Sequence, residues 1–201
     1  MVDMTRRSYG QYCGLAKALD HVGDRWTLLI VRELLVEPRR YSTLRAALPG
    51  IATNLLGDRL SDLVSDGLVA KAGDGLYELT EAGRGLEETV HSLVRWGGRW
   101  MHQRDESELF RPQWLIVALR ALLPPDRSGS VEVRVEGEVL HVMPGSIGEG
   151  SPAAPDATVE GSAQGVLGVA AGVLPVSSLK VTGNKDIAKA VLQPLQVAEQ
   201  T

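Results

Sequence analysis

The chain of 201 residues has a single cysteine, Cys13, so it can form no internal disulfide and is not a disulfide-stapled scaffold. It has no run of about 18 apolar residues, which predicts no membrane span. The opening MVDMTRRSYG lacks the apolar core of a signal peptide, so the expected location is the cytoplasm. An excess of positive charge is missing too: the net charge of -4 argues against coating nucleic acid by charge alone. No internal repeat is present. The four histidines, His21, His91, His102 and His141, are scattered without HExxH or CxxC spacing, which predicts no metal site. Nucleophile-elbow, P-loop and Rossmann fingerprints are all absent. With no catalytic constellation, the expectation is a protein that is not an enzyme and needs no cofactor.

What is there is ordinary globular material, with a hydrophobic fraction of 44% and enough length for one large domain or two small ones. The charge is uneven. Residues 1–105 carry 14 Lys and Arg against 14 Asp and Glu, whereas residues 106–201 carry 7 against 11. A neutral domain still binds DNA if its arginines cluster on one surface. A polar stretch at 102–113 containing Pro112 marks a boundary, predicting domains at 1–105 and 106–201 and an α+β fold class.

In the first half, Leu15, Leu19 and Val22 share one helical face, and Gly23 stops that helix. Asp24 is placed to cap a second, largely apolar helix containing Trp26, Leu28, Leu29, Ile30, Val31, Leu34 and Leu35, ended by Pro38. A short helix over 41–48 follows, then one over 53–66 with a stripe of Leu56, Leu60, Leu63 and Val64. Asp74-Gly75 reads as a two-residue hairpin turn. Thr80 caps a long helix to about residue 103, with Leu86, Val90, Leu93, Val94, Gly97, Trp100 and Met101 on a stripe too long for a small domain to cover.

Helices followed by a hairpin give the order of a winged helix-turn-helix. In that arrangement 41–48 braces 53–66, whose N-terminal side chains reach base edges in the major groove, while the hairpin reaches the flanking backbone. Thr53 and Asn54 stand at the start of the reading helix, and asparagine pairs with adenine through two hydrogen bonds. Arg59 suits a phosphate or a guanine. Arg39, Arg40, Ser42, Thr43 and Arg45 around the brace, and Lys71 on the wing, are candidate phosphate donors. A polar outer face is as often simply solvated. Arg25 and Arg32 read as structural, pairing with Glu33 or nearby acids. Asp58, Asp62 and Asp66 would repel phosphate, so they are read as turned away from DNA or as weakening non-specific binding.

The pieces VGDRWTLLIVREL, RRYSTLR, PGIATNLLGDRLSDL, DGLV and YELTEAG, with the cysteine ahead of the first helix, resemble the HxlR-type branch of the MarR-like winged-helix regulators over residues 10 to about 100. The resemblance implies a homodimeric transcription factor on a near-palindromic double-stranded operator, with repression the expected sense. It also implies dimer contacts from the first and last helices of the domain, which matches the stripe from Leu86 to Met101. Gly97-Gly98 then permits close helix approach, a kink or a plain helix break. Many family members carry Cys-Pro where this chain has Cys13-Gly14, so the first turn is not preset by proline.

The second half opens with an apolar helix, QWLIVALRALL. Strands then alternate through Val131, Val133, Val135, Val139, Val142 and Met143 around a turn at Gly137-Glu138. Residues 145–155 read as a loop, either a lid or a plain connection. A strand at ATVEGS, a helix at AQGVLGVAAGVL, a strand at SSLKVTG and a helix at NKDIAKAVLQPL follow. That order resembles a sterol carrier protein type two-like domain, and the resemblance implies a pocket for a small apolar or polycyclic ligand. Its candidate lining is Trp114, Val117, Val133, Val142, Val166, Leu167, Val169 and Leu174. The Gly and Ala content of the 163–174 helix fits either a ligand space or close packing.

Three functions compete. The first is a DNA-binding regulator gated by an apolar ligand in the second domain. The second is a thiol sensor acting through Cys13, at a helix start with Arg6 and Arg7 close in sequence. If that helix begins near Gly10, Cys13 falls in its first turn, close to Lys17 and Asp20 and opposite the leucine stripe. The third is a lipid-like ligand carrier that does not bind DNA.

Overall fold

The computed structural model of the chain describes residues 8–101, 105 and 108–194. These residues divide into two compact units between Val90 and His91, inside a helix.

The first unit runs α1 (Gly14–Val22), α2 (Thr27–Val36), β1 (Arg39–Arg40), α3 (Tyr41–Ala47), α4 (Thr53–Ser65), β2 (Val69–Lys71), β3 (Leu76–Leu79) and α5 (Glu81–Arg84). The helix α6 (Glu87–Gly97) crosses the division. The α2 helix is central, with Ile30, Val31 and Leu34 buried, and α4 buries Leu56, Leu60 and Leu63. Val64, read from sequence as part of that stripe, is exposed. Leu15 and Leu19 are also exposed, and α1 buries Ala16 and Val22 instead. The helical period of α1 is real, but its leucine side faces outward. Asp24 does not cap α2, which begins at Thr27 with Trp26 as N-cap.

The three strands form an antiparallel sheet of order β1-β3-β2, with Arg39 opposite Tyr77 and Lys71 also opposite Tyr77. The hairpin has a three-residue connection instead of the two-residue one. The Ala72 amide donates to the Leu76 carbonyl, and Gly75 takes φ +81 as the last loop residue. Thr80 does cap a helix, its Oγ1 accepting from the Gly83 amide, but only the single turn of α5. The predicted long helix breaks at Gly85–Leu86, restarts as α6 and ends in a 3-10 turn over Gly98–Trp100.

The second unit holds α7 (Pro112–Leu122), β4 (Val131–Val135), β5 (Glu138–Met143), β6 (Ser146–Glu149), β7 (Ala157–Gly161), α8 (Ala163–Ala170), a 3-10 turn (Val176–Ser178), β8 (Lys180–Gly183) and α9 (Lys185–Val191). The sheet order is β6-β5-β4-β7-β8, with β4 and β7 parallel and the other pairs antiparallel. Register puts Val131 beside Val142 and Ala157, and Val133 beside Leu140 and Val159. All are buried, while α7 packs on β5 and β6 and α9 on β4, β7 and β8. The alternate positions Arg134, Glu160 and Lys180 lie side by side on the opposite, polar face. The turn before β5 is Glu136-Gly137, with φ 49 and 89, one residue earlier than the sequence reading. Residues 146–149 are strand β6, not loop: Ile147 is buried, and the His141 ring lies across Gly148, where a Cβ would meet it at 2.9 Å. No helix among the described residues is long and apolar enough to cross a membrane.

Candidate nucleic-acid interface

Three elements converge on one region: the brace α3, the reading helix α4 and the β2–β3 wing. The Tyr41 hydroxyl donates to the Thr53 carbonyl at 2.6 Å and ties the start of α3 to the start of α4. Thr53 and Asn54 are exposed in the first turn of α4. Ala52, the N-cap residue, supplies no side-chain cap, so the first amides of the helix are left for solvent or an anionic ligand. Ser42, Thr43 and Arg45 are exposed on α3.

Arg40 is exposed, but its Nη1 donates to the Asp74 carbonyl at 2.6 Å and fastens the tip of the wing to the start of the brace. Lys71 is exposed and lies 5.6 Å over the Tyr77 ring, which leaves its ammonium in solvent. Arg39 corrects the sequence reading. It is 7% exposed, its Nε donates to the Glu33 carbonyl at 3.3 Å, and Nη2 lies 3.3 Å from Glu37. It sits inside β1 facing the core and is not presented to a phosphate. Arg59 is held by two carboxylates, at 2.9 Å from Asp24 and 2.6 Å from Asp62. Arg32 pairs with buried Glu33 at 2.7 Å, as its structural reading requires. Asp66 pairs with His21 at 2.9 Å. Asp58 is exposed one turn after Asn54, so it is not turned away from the reading face.

Cys13 is the exposed N-cap residue of α1, not part of its first turn, because the helix begins at Gly14. The amides of Ala16 and Leu15 draw its thiol below the ordinary value. Arg6 and Arg7 lie outside the described residues, as does His102.

The candidate dimer stripe divides. Val90 is buried within the protomer and is unavailable to a partner, while Leu86, Val94 and Gly97 are half-buried. Leu93, Trp96, Trp100 and Met101 are exposed. Trp96 and Trp100 meet edge to face at 4.5 Å, with the Arg99 guanidinium 5.5 and 5.4 Å from the two rings. A Cβ at Gly97 or Gly98 would meet nothing, so these glycines mark a helix break and no close approach within the chain.

The predicted ligand lining is packed. Val117, Val133, Val142, Val166 and Val169 are buried core, Trp114 and Leu167 are half-buried, and Leu174 is 40% exposed. None lines either of two open cavities among the described residues. One, of about 330 Å³, lies at the β4–β5 turn by Arg134, Glu138 and Glu160. The other, of about 220 Å³, lies between Ala18, His21, Val22, Asp66, Leu68 and Leu86. The large side chains of α7 and the sheet fill the space that the sequence reading left for a ligand.

Sequence reasoning missed Tyr41, the tether from Arg40 and the acids around Arg59. All depend on which residues meet across elements, which no spacing within one element reports.

The sequence profile of the HxlR-like helix-turn-helix family matches residues 21–105. The uncharacterized HTH-type transcriptional regulator Rv3095 of Mycobacterium tuberculosis is 40% identical over 105 residues, which are 49% of this chain and 65% of that protein. The uncharacterized HTH-type transcriptional regulator YvaP of Bacillus subtilis is 32% identical over 93 residues, covering 42% of this chain and 84% of the relative. Among solved structures, quinone-bound YodB from B. subtilis is 27% identical, covers 43% of this chain and 98% of that one, and has a TM-score of 0.41. The match therefore spans just under two thirds of the mycobacterial relative's own length.

Proposed function

From the premise that this chain belongs to the HxlR-like helix-turn-helix family, we propose that it is a sequence-specific, DNA-binding transcriptional repressor that works as a homodimer. The observation that carries this reading is the exposed Thr53–Asn54 start of α4. It is set against the exposed Ser42, Thr43 and Arg45 of the brace by the Tyr41–Thr53 bond. Asn54 reads a base edge, the brace donors and Lys71 hold phosphates, and Arg40 keeps the wing in place. Asn54→Ala tests this on a duplex that the wild-type protein selects from a random-sequence pool. Affinity for the selected duplex falls by about 1–3 kcal/mol, while affinity for an unrelated duplex is unchanged. Equal losses on both duplexes would remove Asn54 from base reading.

Dimerisation is supported by two sets of exposed apolar side chains, Tyr12, Leu15 and Leu19 in the first unit and Leu93, Trp96, Trp100 and Met101 in the second. Isolated protomers rarely leave such groups in water without a partner.

The second unit, with its sterol carrier-like order of elements, is the proposed input for a small apolar ligand. The support is local. Leu174 lies over Gly168, where a Cβ would come within 2.7 Å of Leu174 Cδ1, and the neighbouring Val173 is 78% exposed. Swinging Leu174 outward uncovers Gly168 on α8, so a ligand would select an opened state rather than fill a standing cavity. Fatty-acid and polycyclic probes that bind the protein then change duplex affinity; binding with no such change ends the gating reading.

A second reading, thiol sensing, is favoured by one observation: Cys13 is exposed and its thiol is drawn down by two amides. Cys13→Ser abolishes any response of duplex binding to diamide if that reading holds. The carrier reading without DNA contact predicts that no duplex is selected at all.

A further inference from the structure

We infer that Arg59 is a positioning residue, which fixes the reading helix against the turn between α1 and α2, and that it does not contact the DNA backbone. The inference rests on the DNA-binding reading above.

Arg59 is the only Lys or Arg of α4. By charge alone it is the obvious phosphate ligand of a reading helix. Its geometry says otherwise. At about 100° per residue, Arg59 lies about 140° around the helix axis from Asn54 and about 120° from Thr53. It therefore flanks the buried stripe, on the side away from Thr53, and its side chain is only 24% exposed. Its Nη1 reaches Asp24 Oδ2 at 2.9 Å and Asp62 Oδ2 at 2.6 Å. Two carboxylates on one guanidinium leave it with no net positive charge to offer a phosphate.

Asp24 belongs to the α1–α2 turn, so this fork joins the middle of α4 to that turn. A second tie lies at the other end of the helix, where Asp66, its C-cap residue, meets Nδ1 of His21 on α1 at 2.9 Å. The angle at which α4 presents Asn54 is thus set by polar contacts to the α1 region as well as by Leu56, Leu60 and Leu63. Exposed ion pairs add little to global stability. Their consequence here is the direction in which a short helix points.

The test uses the full chain and the duplex it selects from a random pool, with affinity measured across a salt series. Arg59→Gln lowers affinity about threefold to tenfold and leaves the slope of log affinity against log salt unchanged. A lost phosphate contact would instead make that slope shallower by about 0.9. Asp24→Asn removes a carboxylate that is 56% exposed, so the variant folds. Its sign is decisive: positioning predicts weaker binding, as in Arg59→Gln. A latent phosphate ligand released from its acid predicts tighter binding and a steeper slope. Either a shallower slope in Arg59→Gln or tighter binding in Asp24→Asn overturns the inference alone. Failure of the wild-type chain to select any duplex overturns the DNA-binding reading, and the inference falls with it.

Discussion

Of the three aspartates of α4 and its cap, two have partners inside the chain, Asp62 in an ion pair with Arg59 and Asp66 in a hydrogen bond with His21. Asp58 is left facing solvent one turn beyond Asn54. An anion there repels every phosphate equally, so it discounts non-specific contact. Asp58→Asn is expected to tighten binding to unrelated and selected duplexes by a similar factor, as read by competition titration. Charge placement of this kind is also where sequence reading stops. Arg39 and Arg40 are adjacent and identical in type, yet one faces the core and the other faces the wing. The alternation of a two-residue strand decides that, and the strand exists only because β3 pairs with it. In the second unit, Glu132 is buried, accepts from Ser151 and Arg134, and has its carboxyl held below the ordinary value of 4.5, chiefly by Ser151. A depressed carboxyl contributes stability above its unfolded value and loses it as pH falls through the folded one. The gap in urea midpoint between wild type and Ser151→Ala is therefore expected to be widest near neutral pH and to close as pH falls through and below 4.5.

At the scale of elements, periodicity located nearly every helix, and local geometry decided where helices break. The stripe from Leu86 to Met101 reads as part of one helix from Thr80, but α5 stops after a single turn. The cause is visible at Gly83, where a Cβ would lie 2.0 Å from the Leu68 carbonyl oxygen. That close passage clamps α5 onto the start of the wing, and Thr80 reinforces it by donating to the Gly67 carbonyl at 2.6 Å. Gly83→Ala is expected to destabilise by about 1–3 kcal/mol through overpacking, and Thr80→Ala by about 1 kcal/mol through the lost cap. Chemical denaturation checks both, and a neutral Gly83→Ala would mean that α5 moves freely from the wing. The strand β6 was illegible for a related reason. Only Ile147 among its four residues is a buried apolar group, and its pairing is secured from outside by His141, and by Arg120 donating to the Ile147 carbonyl at 2.7 Å. The α1 leucines show the converse error, because a helical period does not say which side meets the core. Under the proposed homodimer, the exposed Leu15 and Leu19 would face the partner.

For the whole molecule, charge is uneven: the first half is neutral and the second acidic. A winged helix of balanced charge is expected to show modest non-specific affinity and a shallow salt dependence. The proposed homodimer would add specificity by doubling the half-site. Trp100→Glu is expected to weaken self-association in analytical ultracentrifugation and to cost operator affinity in proportion. Whether the chain is a dimeric reader of a symmetric operator is tested most directly by selecting duplexes from a random pool with the full chain and weighing the complex. The expected result is enrichment of a two-fold symmetric site, with half-sites about one helical turn apart and two chains bound per duplex. Enrichment of no sequence, or of an asymmetric site holding a single chain, would contradict it.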